Sequence, residues 1–329
     1  MEKSLRAIAK EIEFWYHQNH RKLPWRQNQD PYSIWISEVM LQQTTVSAVV
    51  PYFERFISQF PHVHALAEAP LEEVLQAWSG LGYYSRARML HRSAQELAEK
   101  GFPRKAELLI QLPGFGPYTA RAVASLAFGE RVGVLDGNVI RVLTRLLGLR
   151  VSWWTTVERR KLQAIADEFV QEGNPSIINQ ALMELGASVC THQKPNCFMC
   201  PWASSCVALR TQEIENLPLK KQRKNKEIWI WKPELRVKKK AVLLVKNNYL
   251  PFLKNQLIFP GSAQKTKKKP RSFAFRHNIT HYDIYVQILE KMPLKIEKEG
   301  WSKQKWVQFK NLKAVNPSSL LQKVLSQQF

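Results

Sequence analysis

The chain has four cysteines, and all of them fall within 17 residues: Cys190, Cys197, Cys200 and Cys206. No other feature constrains the fold as strongly, because the chain must loop back on itself for four thiols to meet. A disulfide framework would spread its cysteines through a small secreted domain, whereas these sit together in a chain of 329 residues. Clustered thiolates suit a soft metal partner, either zinc or an iron–sulfur cluster. Structural zinc sites more often pair two Cys-x2-Cys knuckles, and the spacing here, Cys-x6-Cys-x2-Cys-x5-Cys, contains one. The spacing favours a cluster and leaves zinc open. Either group would stabilise the local fold, since its ligands converge only once the chain has folded.

Charge narrows the partner. Lys and Arg number 49 against 27 Asp and Glu, a net charge of +22. Cationic side chains neutralise phosphates and release counterions, so nucleic acid is the expected partner. The excess is uneven: residues 211–329 hold 26 Lys and Arg against 8 Asp and Glu, leaving residues 1–210 with 23 against 19. Contacts to nucleic acid in the first part must rest on placed residues, not bulk charge. No run approaches the roughly 18 apolar residues of a membrane span. Residues 1–10 mix charge with short apolar spacing and lack a signal-peptide core. They read as the start of an amphipathic helix in a cytoplasmic protein with no membrane partner.

Residues 1–210 read as mostly helical. Apolar residues recur at helical spacing through 34–60, 71–81, 87–97, 123–128, 139–147 and 162–170. Pro24, Pro61, Pro70, Gly129, Gly148 and the Gly- and Pro-bearing stretches at 80–82, 101–103 and 173–175 punctuate them. Residues 211–235 read as a basic linker, carrying Pro218 and a Lys/Arg run over 220–226. Its end overlaps the first of four β-branched or aromatic runs, 227–231, 241–245, 256–259 and 284–288. Residues 236–329 are therefore expected to form a smaller α+β domain, with the basic run 265–269 in a loop.

Several constellations could carry chemistry. Glu38 stands in Ile34-Trp35-Ile36-Ser37-Glu38-Val39-Met40-Leu41, on a helix expected to be buried. A carboxyl among apolar side chains has a raised pKa and can act as a general acid near neutrality, or it can simply be a satisfied core group. Asp136 stands in Leu135-Asp136-Gly137-Asn138-Val139 and reads equally as a helix N-cap. Gln111-Leu112-Pro113-Gly114-Phe115-Gly116-Pro117-Tyr118 is a Gly-punctuated turn between apolar helices. Its backbone N–H groups could meet a DNA phosphate, or it could be a bare αα-corner. Gly80-Leu81-Gly82-Tyr83-Tyr84-Ser85-Arg86-Ala87-Arg88 joins a loop to paired aromatics and arginines. Such residues can wedge into a base stack and take phosphates. Gln42, Gln43 and Thr44 could read base edges.

The order of these motifs resembles the helix-hairpin-helix glycosylases of the endonuclease III superfamily, and residues 10–210 resemble the adenine DNA glycosylase (MutY) family in particular. The matching runs are Leu23-Pro24-Trp25-Arg26, Ser37 to Thr44, Gly80 to Arg88, Leu135 to Val139, Met183-Glu184-Leu185-Gly186-Ala187 and the cysteine loop. The bifunctional endonuclease III type carries a Lys nucleophile just after the hairpin glycines, where this chain has Tyr118. It also usually has Asp-Thr-His where this chain has Asp136-Gly137-Asn138.

The resemblance implies a mainly α fold: a two-lobed helix-hairpin-helix domain over 1–210 with a [4Fe-4S] cluster loop, a linker over 211–235, and a small, shortened Nudix-like α+β lesion-recognition domain over 236–329. It implies a monomeric, monofunctional glycosylase of base-excision repair, active on the nucleoid of a bacterial cell. The substrate implied is duplex DNA with adenine opposite 8-oxoguanine or guanine.

The same resemblance assigns roles by position. Glu38 would protonate adenine at N7 and Asp136 would stabilise the sugar cation, with Tyr118 and Asn138 supporting them. Trp25, Arg26 and Gln180 would form the adenine pocket. Gln43 and Tyr83 would wedge at the lesion, and Thr44 and Leu81 would lie near the oxidised guanine. Arg86, Arg88, Gly114 and Gly116 would face DNA. Cys190, Cys197, Cys200 and Cys206 would hold the cluster. In the C-terminal part, His277-Asn278-Ile279-Thr280-His281-Tyr282 aligns with a Phe-Ser-His loop that reads oxidised guanine. Thr280 keeps the hydroxyl and His281 the imidazole, whereas Ile279 lacks the aromatic face. No Gly-x5-Glu-x7-Arg-Glu box is present, so no nucleotide hydrolysis is expected.

Overall fold

The computed structural model describes residues 4–42, 44–221, 226–279, 281–288, 304–316 and 318–327. The chain forms two compact units, residues 1–221 and 222–329.

The first unit is helical and has two cores. The first core gathers α2 (Pro31–Leu41), α3 (Val46–Gln59), α4 (Val63–Glu68), α5 (Leu71–Ala77), α6 (Tyr84–Lys100), α7 (Ala106–Leu109) and α8 (Pro117–Phe128). The second gathers α1 (Leu5–Asn19), α9 (Gly137–Leu147), α10 (Thr156–Gln171) and α11 (Pro175–Ser188). The second lobe is thus built from both ends of the unit. Trp202, in the loop after α11, is buried and donates from Nε1 to the Ile8 carbonyl at 3.0 Å, tying the cysteine loop to the N-terminal helix.

Local signals set the helix ends. Asp30 caps α2 by accepting from the Tyr32 and Ser33 N–H groups, with Pro31 in the first turn. Gly129 and Gly148 end α8 and α9 in the left-handed conformation. The apolar pattern over 34–60 is not one helix. It breaks at Gln42, whose backbone (φ −59°, ψ 112°) leaves the helical range, and resumes at Val46 after the extended Thr45. Helix α11 follows punctuation at 173–175 and lies beyond the last of the helical apolar runs, 162–170. Asn174 caps it through the Ser176 and Ile177 N–H groups with Pro175 at its start, a pairing that signals a helix as readily as a break.

The anticipated linker over 211–235 does not hold. Residues up to Lys221 belong to the first unit. Leu217 is buried there and its carbonyl accepts from Arg145 at 2.9 Å, while the Leu219 carbonyl accepts from Trp153 at 2.9 Å. The end of the same stretch is β1 (Glu227–Pro233). Its Lys and Arg content hid residues that pack through their backbone.

Among the described residues, the second unit contains two four-stranded sheets. One has the order β5 (Gly261–Thr266), β1, β7 (Tyr282–Val286), β6 (Phe275–Ile279), with β1 and β7 parallel. In the other, β3 (Ala241–Lys246) pairs with β2 (Val237–Lys238), β4 (Leu257–Ile258) and β8 (Gln304–Gln308). Short helices over Leu312–Val315 and Ser319–Ser326 follow, and Leu320, Leu321 and Val324 of the second join the core with Trp231 and Phe252. The basic run 265–269 begins inside β5 instead of lying wholly in a loop.

Candidate active site

Helix α2 is apolar on every side, so its one carboxylate goes into the core: Glu38 is 5% exposed. The adjoining cavity, about 1430 Å³, lies where elements of both lobes meet. Glu38, Tyr118, Asp136 and Asn138 line it, as do Trp25, Arg26, Gln180 and Thr44. Catalytic and base-pocket candidates far apart in sequence thus share one wall.

The two carboxylates are both buried but differ in their hydrogen-bond donors. Burial pushes the Glu38 pKa up from 4.5 to about 7, and the charge of Asp136 pushes the same way. The Tyr118 hydroxyl opposes this by donating to Glu38 Oε2 at 2.7 Å. Burial also holds the tyrosine pKa well above its usual value, so Tyr118 remains a donor. With Oε2 accepting, a proton on Glu38 belongs on Oε1.

Asp136 is both things the sequence allowed. It N-caps α9, accepting from the Val139 N–H at 2.7 Å, and its other oxygen accepts from Asn138 Nδ2 at 2.9 Å. Burial raises its pKa, and these donors pull it back toward the charged form. Glu38 therefore has one donor and a pKa raised to about 7, whereas Asp136, also raised by burial, has donors on both oxygens that favour its charged form.

Asn138 is itself held. Arg141 donates to its Oδ1 at 2.8 Å and to the Cys190 carbonyl at 2.7 Å. A Cβ on Gly186 would lie 2.6 Å from the Asn138 Cβ, which explains the glycine in the 183–187 motif.

Glu184, part of the 183–187 run but given no role by the sequence, supports the wall from behind without lining the cavity. Glu184 is fully buried beneath Arg26, which reaches it at 2.7 Å, and Arg21, which reaches it at 2.6 Å. Burial pushes its pKa up, but the two guanidinium groups outweigh that and hold it below the usual range. Arg26 and Arg21 flank Leu-Pro-Trp in sequence, so an unpaired basic pair beside a pocket motif was the available signal.

The remaining candidates lie elsewhere. Tyr83 is 62% exposed in a left-handed conformation at the start of α6, and Arg88 is exposed. Leu81 is buried in the core and does not stand at a surface. Arg86 is not free for a phosphate: it donates to the carbonyls of Val39 and Gln42, each at 2.7 Å, and of Leu81 at 3.4 Å. It closes the C-terminal end of α2 against the 80–82 loop. Gly114 has φ +78, and a Cβ there would meet the Met89 Cβ at 2.7 Å, while Gly116 caps α8. His281 lies in the tight turn joining β6 to β7. Gln43 and Thr280 fall outside the described residues.

The four cysteines converge on one small cavity, about 30 Å³, walled by Val189, Pro195, Ala203, Leu209 and Ile214. Arg145 reaches Cys190 Sγ at 3.5 Å. Burial raises the pKa of Cys197, Cys200 and Cys206, that of Cys200 to about 12. Among the described residues no group of three or more His, Cys, Asp or Glu is arranged to hold a metal ion.

Residues 36–172 match the family described as HhH-GPD superfamily base excision DNA repair protein. The chain is 34% identical to the adenine DNA glycosylase of Buchnera aphidicola subsp. Acyrthosiphon pisum (strain APS) over 345 aligned positions, covering 94% of each chain. Among solved structures it is similar to a thermostable thymine-DNA glycosylase, with TM-score 0.57 and 28% identity, covering 63% of this chain and 97% of that one. It is also similar to endonuclease III in a non-covalent complex with DNA, with TM-score 0.53 and 25% identity, covering 64% and 98%. Helical architecture, motif order and near-full-length similarity agree, and the chain belongs to the adenine DNA glycosylase family within the helix-hairpin-helix base-excision repair proteins.

Proposed function

We propose that the chain hydrolyses the N-glycosidic bond of adenine mispaired with 8-oxoguanine or guanine in duplex DNA, acting as a monomer in base-excision repair. The observation that carries this reading is the pair of carboxylates on one cavity wall, Glu38 with its pKa near 7 and Asp136 with donors on both oxygens. The adenine must first leave the helix to enter the cavity. Glu38 Oε1 gives its proton to N7, the C1′–N9 bond breaks with its electron pair going to the base, and Asp136 faces the positive charge left on the sugar. Water adds at C1′ and its proton returns to a carboxylate, leaving free adenine and an abasic site.

A lyase step through an amine nucleophile is the weaker reading. No lysine lines the cavity among the described residues, and Tyr118 is bonded to Glu38. Thymine specificity rests only on a structural neighbour.

The four cysteines suit a [4Fe-4S] cluster. Thiols buried among apolar residues need cationic metal to become thiolates, and Arg145 offsets the negative charge of the loaded site. Such a cluster supplies structure here, and stoichiometric iron and labile sulfide in the purified protein test it. Exposed Tyr83 and Arg88 and the hairpin glycines fit a DNA-facing role, and the β6–β7 turn with His281 fits lesion reading. No described helix is long and apolar enough to cross a membrane.

Replacing Glu38→Gln tests the reading directly. Base release from adenine opposite 8-oxoguanine should vanish while duplex binding persists. Release retained by that variant removes Glu38 as the acid. Borohydride trapping on an abasic duplex, if strong, would revive the lyase.

A further inference from the structure

The cavity wall contains a hydrogen-bond chain whose direction is fixed at one end. The Leu126 backbone carbonyl can only accept, and Ser176 Oγ donates to it at 3.2 Å. That commits the single proton of Ser176, so its oxygen faces Gln180 as an acceptor and takes an N–H from Gln180 Nε2 at 3.4 Å. The amide nitrogen therefore lies on the Ser176 side and the carbonyl Oε1 on the other. There the Tyr16 hydroxyl donates to it at 3.0 Å. The Ser176 contact is long, so the Tyr16 bond carries most of the orientation.

Tyr16 is built to stay in place. It is buried on α1, its ring stacks on His20 with centroids 4.7 Å apart, and the Arg26 guanidinium lies 5.7 Å over it. Burial raises the pKa of its hydroxyl, so it remains a donor across the working range. Tyr16 is not among the residues lining the cavity, whereas Gln180 is. The second N–H of Gln180 has no protein partner among the described residues and is left for whatever enters.

We infer that Tyr16 is a positioning residue: it holds Gln180 in the orientation that Ser176 and the Leu126 carbonyl set, so that the pocket offers the base an N–H donor and not a carbonyl. The inference rests on the reading of the cavity as an adenine pocket and extends it. A base must then meet Gln180 with an acceptor ring nitrogen. One that brings an N–H to the same point leaves two donors facing each other, which is how a pocket rejects a near neighbour.

The test is a double-variant cycle on the full chain, measuring single-turnover base release and duplex affinity with adenine opposite 8-oxoguanine. Tyr16→Phe keeps the ring stack and removes only the hydroxyl. It should slow release about tenfold, the worth of one orienting hydrogen bond, with duplex affinity unchanged. Gln180→Ala should slow release too, and Tyr16→Phe added to it should cost nothing more, because Tyr16 acts only through that amide. Ser176→Ala cuts the chain at its other end, and its loss should likewise vanish in the Gln180→Ala background. An unchanged rate in Tyr16→Phe, or losses that multiply in the combined variants, overturns the inference. Absence of adenine release by the unaltered chain would instead overturn the pocket reading beneath it.

Discussion

Glu38, as the proposed acid, would couple stability to activity. Its carboxyl is neutral below pH 4.5 in both folded and unfolded chains. The folded form keeps the proton up to about pH 7. Between those values the unfolded chain loses protons that the folded chain retains, so stability falls as pH rises through that window and stays lower above it. Glu38→Gln removes the penalty. The variant should therefore be inactive yet more stable than the parent at pH 8, by at most about 3 kcal/mol, and no more stable at pH 4. Thermal unfolding at the two pH values checks this, and equal stabilities at pH 8 would mean Glu38 does not carry the raised pKa. The rate has the matching sign: base release should fall about tenfold per pH unit above 7, as the acid is lost. Much of this was legible in the sequence, because a lone carboxylate in Ile-Trp-Ile-Ser-Glu-Val-Met-Leu has few places to go but inside. Glu184 was not legible in the same way. Its role depends on Arg21 and Arg26, more than 150 residues away in the chain.

At the scale of elements, the 80–88 segment divides its work unlike its sequence. Two arginines two residues apart look equivalent, yet α6 turns Arg88 to solvent and Arg86 inward onto three carbonyls. Arg86 supports the C-terminal end of the helix that carries Glu38. Replacing Arg86→Gln strands those carbonyls and should destabilise the fold by about 2 kcal/mol, while the slope of DNA affinity against salt stays unchanged. Arg88→Gln should do the reverse, leaving unfolding alone and lowering the salt slope by about one. A reduced slope in Arg86→Gln would mean that its guanidinium reaches a phosphate after all. Helical periodicity alone could not separate the two, since which face of α6 packs depends on the neighbouring α2.

For the whole molecule, the unit boundary decides how the charge is shared. Residues 222–329 carry 24 Lys and Arg against 6 Asp and Glu. A chain ending at Lys221 retains the strand of backbone that Arg145 and Trp153 hold, which one ending at residue 210 would lose. It should fold, keep adenine release, and show a flatter dependence of DNA binding on salt than the full chain. An identical slope would locate the phosphate contacts in the helical unit, in spite of its near-balanced charge.

What the sequence determined by itself is the set of parts and their order: a loop of four clustered cysteines, a buried carboxylate, a hairpin, a capping aspartate, and a basic tail with strand-like runs. These are local properties, set by spacing, capping and the burial preference of neighbouring side chains. Tertiary structure decided which of the parts meet. It joined α1 to α10 and α11, placed Tyr16 behind Gln180 and Arg26 over Glu184, and bonded Arg86 to the carbonyls of Val39, Gln42 and Leu81. The physical reason is the same in each case. Whether a polar group is a ligand, a support or a satisfied core group depends on the partners within hydrogen-bond reach, and in this chain those partners come from helices far apart in sequence. The cysteines illustrate both halves: their spacing puts four thiols close together in the chain, and only the folded cavity shows them gathered against apolar walls with an arginine beside them.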